Sequence, residues 1–113
     1  MSPAVTVVEG PQMVLNRIPN HGDQSAAFGP YSFASQTGST AGGYRAQALF
    51  TYSTAIGEES RAKAYAATAI GRIANVLAIR GTGVGNAVYL APAATGGVAI
   101  GDSARLYGAN GIV

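Results

Sequence analysis

His21 and Asp23 stand two residues apart in the stretch Pro19-Asn20-His21-Gly22-Asp23, and with a serine they would hold the parts of a hydrolase triad. Nothing in the sequence resembles a nucleophile elbow, and a histidine in such a turn is expected to be solvated. Glu58-Glu59 and Asp102 could do acid–base work only if burial or a partner separated their pKa values, and the sequence shows sign of neither. Gly81-Thr82-Gly83-Val84-Gly85-Asn86 suggests a phosphate loop, but its spacing is G-x-G-x-G rather than the G-x-G-x-x-G of dinucleotide sites. With one histidine and no cysteine, a zinc site within one chain is not expected, and neither is a disulfide. Tyr31, Tyr44 and Tyr89 are among six tyrosines that could form a sugar- or protein-binding surface or fill grooves between subunits. No catalytic residue, cofactor or metal is therefore expected.

The elements that would position any such residue are set by a repeat. Glycines fall at 29, 43, 57, 71 and 85, each fourteen after the last, and then at 101, sixteen later. The units read SAAFGPYSFASQTG (25–38), STAGGYRAQALFTY (39–52), STAIGEESRAKAYA (53–66), ATAIGRIANVLAIR (67–80), GTGVGNAVYLAPAA (81–94) and GVAIGDSARLYGAN (97–110). Thr95-Gly96 is read as a two-residue insertion, expected as a bulge or small surface loop, and Gly111-Ile112-Val113 opens a seventh copy. Fixed self-similarity of this kind marks a solenoid, so the fold class is all-β, a β-helix of 14-residue repeats. Residues 25–113 form the roll, and residues 1–24 stand apart from it.

In the clearest copy, Ser-Thr-Ala-Ile-Gly, odd positions are small and the fourth is aliphatic. Strand side chains alternate between faces, so the small face suits a narrow interior. The aliphatic column Phe28, Ile56, Ile70, Val84 and Ile100 is then free to seal against a neighbouring chain. A second segment, with small or apolar flanks, has a variable middle position at Phe33, Gln47, Arg61, Asn75, Tyr89 and Arg105. These should stack as an outward column, one rung about every 4.8 Å. Arg61 to Ala69 has good local helix propensity, but the register of the copies on either side overrules it.

Composition points to self-association. Apolar residues make up 48% but are mostly Ala, Val and Ile, and charged residues only 11%. Small side chains bury little area, and so few charges suit a surface covered by other copies. The net charge of +2 is scattered over the chain, unlike the clustered charge of nucleic-acid binders, so no nucleic-acid partner is expected. No signal peptide opens the chain, and the most apolar region, 86–101, is broken by Pro92 and glycines, so membrane insertion is not expected. The chain reads as a complete, non-secreted product.

Residues 1–24 contain the strand-like Val5, Val7 and Val8, a turn at Glu9-Gly10-Pro11-Gln12, and a second candidate strand with Met13, Val14, Leu15 and Ile18. An N-terminal β arm or hairpin is expected, either capping the first coil or adding strands to another protein.

The phrases STAIG, ATAIG and GVAIG at this period resemble the head repeats of YadA-like trimeric autotransporter adhesins, over residues 25–113. The resemblance implies a left-handed parallel β-roll and a homotrimer around a threefold axis. Coil two differs from the pattern in having Gly42 in the aliphatic column, and coil five reads GTGVG. An adhesin of that family also needs a secretion signal, a stalk and a membrane anchor, which this sequence does not show. Because bacteriophage structural proteins use the same repeat, the first expectation is a capsid decoration protein of the virion, with the arm gripping the major capsid protein or another virion protein. The alternative is a receptor-binding module, a tail-fibre tip or an adhesin head at the bacterial cell surface, meeting the host through its outward column.

Overall fold

Each fourteen-residue unit folds as one turn of a flattened coil, and the alternation within it decides which side chains point inward. The computed structural model describes residues 25–109 and 111–113. In chain order the strands are β1 (Ala26–Phe28), β2 (Phe33–Ala34), β3 (Thr40–Gly42), β4 (Gln47–Ala48), β5 (Thr54–Ile56), β6 (Arg61–Ala62), β7 (Thr68–Ile70), β8 (Asn75–Val76), β9 (Thr82–Val84), β10 (Tyr89–Leu90), β11 (Val98–Ile100) and β12 (Arg105–Leu106). Odd-numbered strands form one six-stranded sheet and even-numbered strands a second, every described pairing being parallel and one coil apart. The fold is thus an all-β parallel solenoid of six coils, and Ile112 bridges Val98 to begin another. Arg61–Ala69, the local conflict, is strand, corner and strand rather than helix. Residues 1–24 lie outside the described residues, and with them the expected arm residues Val5, Val7, Val8, Met13, Val14, Leu15 and Ile18 and the pair His21 and Asp23.

The interior is thin because it is lined by alanine. Ala27, Ala41, Ala55, Ala69 and Ala99 point inward from the first sheet and Ala34, Ala48 and Ala62 from the second, all fully buried. Each buries little area, so much of the cohesion comes from backbone hydrogen bonds that continue around the corners. Arg45 N–H donates to Pro30 O at 2.9 Å, and Tyr52 N–H to Thr37 O at 2.9 Å. Buried serines at the corners are satisfied locally. Ser39 Oγ donates to Gln36 O and Ser53 Oγ to Phe50 O, each at 2.6 Å.

Where the second sheet carries larger residues, the first becomes smaller. Val88 and Leu90 fill coil five, and a Cβ added at Gly83 would lie 2.9 Å from Val76 Cγ2 and 3.0 Å from Leu90 Cδ1. Gly81 makes the same room for Leu90 Cδ2. The GTGVG of coil five is therefore inward volume compensation, and not a phosphate loop. Gly83→Ala should cost about 1–3 kcal/mol by overpacking. The double variant Gly83→Ala/Leu90→Ala, which restores the Ala–Ala pairing of earlier coils, should lose less stability in denaturant unfolding than the two single losses added together.

Two kinds of backbone make the corners. Gly57 has φ +123° and Gly71 has φ +128°, a region side chains avoid, and a Cβ on Gly57 would sit 2.6 Å from Gly71 O. Two residues further on, the chain turns through the left-handed region, here with non-glycine residues such as Glu59 (φ 57°) and Ile73 (φ 60°).

The insertion lies elsewhere than expected. Gly96 N–H donates to Ile79 O, as Arg80 N–H does to Tyr65 O one coil earlier, so Thr95-Gly96 occupies the regular corner. Ala91 N–H still follows the ladder to Leu106 O, which leaves Pro92-Ala93 as the extra pair. They form an exposed additional turn closed by Ala94 N–H to Ala91 O at 2.9 Å. Proline at the second position of a turn is preset for it and offers no N–H to the ladder.

Candidate functional site

The solenoid presents two broad faces of unlike chemistry, separated by two unlike corners. The outer face of the first sheet is built from the strand positions that alternate with the buried alanines. Thr40, Thr54, Thr68 and Thr82 are paired coil to coil along one column, with Val98 next in register. Phe28, Gly42, Ile56, Ile70, Val84 and Ile100 make the other. Gly42 leaves no gap, because a Cβ there would meet Phe28 Cε2 at 2.7 Å and Ile56 Cδ1 at 3.2 Å; the two neighbours close over it. Phe28, Ile56 and Val84 are half-buried, whereas Ile70 and Ile100 are exposed. Among the described residues this face carries no charge.

The outer face of the second sheet holds Phe33, Gln47, Arg61, Asn75, Tyr89 and Arg105 in register. Arg61 and Arg105 are exposed and the other four half-buried. Asn75 Oδ1 is buried with no hydrogen-bond partner among the described residues, which costs the fold the desolvation of one acceptor. Lys63 follows Arg61 by two residues on the same side of the sheet, with buried Ala62 between them.

The first corner holds the carboxylates, and they are not isolated. Arg72 Nε lies 3.3 Å from Glu58 Oε1, and its Nη1 donates to Asn86 Oδ1 at 3.4 Å. Asn86 Nδ2 in turn donates to Asp102 Oδ1 at 2.9 Å. Arg45 Nη1 lies 3.7 Å from Glu59 Oε2. These side chains are largely exposed, so each ion pair is worth at most about 1 kcal/mol. Acid–base chemistry gains no burial here, and the rail serves to match charge along one edge.

The second corner is aromatic. Tyr52 and Tyr65 pack edge to face with centroids 5.8 Å apart, with exposed Phe50 on the coil of Tyr52 and exposed Ile79 one coil beyond Tyr65. Tyr31 pairs with Tyr44 on the first corner and Tyr89 with Tyr107 on the second sheet, each at 5.9 Å. All six tyrosines thus pack ring to ring against an adjacent coil of their own chain. Among the described residues no three of His, Cys, Asp and Glu come together, and no pocket is enclosed.

The corner pairs escaped the sequence reading, although a signal was present. Glu58 and Arg72 are fourteen residues apart, as are Arg45 and Glu59, so opposite charges one period apart become neighbours.

The YadA head domain repeat matches the chain in two copies, over residues 21–46 and 51–72. Coils five and six continue the same ladder beyond the matched stretches. No curated protein and no solved structure matches the chain.

Proposed function

We propose that this chain, a solenoid of YadA-like head repeats, is a non-enzymatic, adhesin-like module that works as a homotrimer. The observation that carries this reading is the division of the surface. One broad face offers hydroxyls and aliphatic side chains without a charge, and the other offers arginine, lysine, amide and aromatic groups. Burying the first against another copy desolvates no ion, whereas burying Arg61 and Lys63 would cost several kcal/mol per unpaired charge. The seam is therefore Phe28, Ile56, Ile70, Val84 and Ile100, with the threonine column beside them. The YadA-like repeat supports a count of three, and a closed threefold ring would bury the same face on every subunit. The second sheet then looks outward from all three copies and meets the partner.

Adhesion at a cell surface fits the repeat directly. Decoration of a bacteriophage capsid, the finer alternative, rests on the sequence of residues 1–24, which would grip a virion protein. Beads coated with the full chain should be retained on cultured cell monolayers where bare beads are not, and residues 25–113 alone should be retained as well. Beads that hold no cell surface, with a chain that attaches to virions through residues 1–24, would replace adhesion by decoration.

A further inference from the structure

A partner must be met on an open surface, since the described residues enclose no pocket. The outer face of the second sheet is suited to one kind of polymer. Its charges are all positive: Arg61 and Lys63 on coil three, and Arg105 three coils along the same register. The described carboxylates stand instead on the first corner, where Arg72, Arg45 and Asn86 hold them. Arg61, Lys63 and Arg105 make no ion pair among the described residues, so the positive charge on this face is unbalanced. Beside Arg105, the rings of Tyr89 and Tyr107 lie 5.9 Å apart.

Spacing separates the candidate polyanions. Three rungs of about 4.8 Å put Arg61 and Arg105 about 14 Å apart, more than one small anion can span. Duplex DNA carries a charge about every 1.7 Å and is held by dense cation clusters, which this face lacks. An anionic polysaccharide has sparser charge and sugar rings between its charged groups. Arginine forks pair with sulfate or carboxylate oxygens, and tyrosine rings offer flat apolar contact to the sugar. We infer that this face binds an acidic glycan, with Arg61, Lys63 and Arg105 on its sulfate or carboxylate groups and Tyr89 and Tyr107 against its rings. The inference rests on the adhesive reading and names the partner of that surface.

The test is binding of the full chain to immobilised heparin, polygalacturonate, neutral dextran and double-stranded DNA. Heparin or polygalacturonate should be held, dextran released, and DNA held more weakly than either retained glycan. Arg61→Gln/Lys63→Gln should weaken glycan binding about tenfold and lower its salt dependence, as expected when two charge contacts are lost. Arg45→Gln/Arg72→Gln removes the same charge from the first corner and should change binding less than about threefold. Equal losses in the two variants, tighter binding to DNA, or no binding to either acidic glycan would overturn the inference. Cell adhesion that survives enzymatic removal of acidic glycans would overturn it and leave the adhesive reading standing. Glycan binding without any cell adhesion would do the reverse.

Discussion

Gly57→Ala is expected to destabilise the solenoid by about 4 kcal/mol, and Gly101→Ala by about half as much, in denaturant unfolding. The two glycines have nearly the same backbone, φ +123° and +128°, so the strain of placing a side chain there is shared. What differs is the neighbour. A Cβ at Gly57 meets Gly71 O at 2.6 Å and Gly71 C at 2.7 Å, whereas at Gly101 nothing lies within 4 Å. Backbone of the next coil cannot rotate aside as a side chain can, so the coils must part. Against a typical domain stability of about 5–15 kcal/mol, the larger loss approaches unfolding. Equal losses at the two sites would show that the glycine column is fixed by its dihedral angles alone, and not by the close stacking of coils.

Ile70→Asp should abolish assembly while leaving the coil itself folded. Ile70 faces outward at the middle of the first sheet and is 37% exposed, so no interior contact is lost. In the proposed seam an aspartate would be buried without a partner, at a cost of several kcal/mol per ion. The proposed threefold symmetry would repeat that cost in every subunit. Ile73 provides a matched control, being 39% exposed on the first corner. Ile73→Asp should leave the assembled mass unchanged. It should also relieve some strain, because a β-branched residue at φ 60° is costly and aspartate tolerates that region better. Strand content by circular dichroism separates lost assembly from lost fold.

Much of this architecture was legible in the sequence because a solenoid repeats its instructions. The glycine period gave the coil, and the alternation in STAIG gave the buried and outward positions. The insertion falls elsewhere because either Pro92 or Ala94 could stand in the place of Ala78, and the buried Ala94 with the hydrogen bond from Gly96 to Ile79 selects the second. Gly83 read as a departure because its reason, Leu90, lies across the interior and seven residues along the chain. The volumes at the two inward positions trade off within a coil, so the pattern could have been found by reading both columns together. The corner ion pairs needed the same vertical reading. Positive φ at Tyr52, Ala66 and Arg80 had no signal, since residue type there varies freely and the geometry is imposed by the stacked corner.

The seam is tested most directly by the mass of the full chain in dilute solution, measured by light scattering at low and at high salt. A mass of three chains is predicted, unchanged by salt because the joined faces carry no charge. A folded species of single-chain mass, or a trimer that falls apart as salt rises, would contradict it.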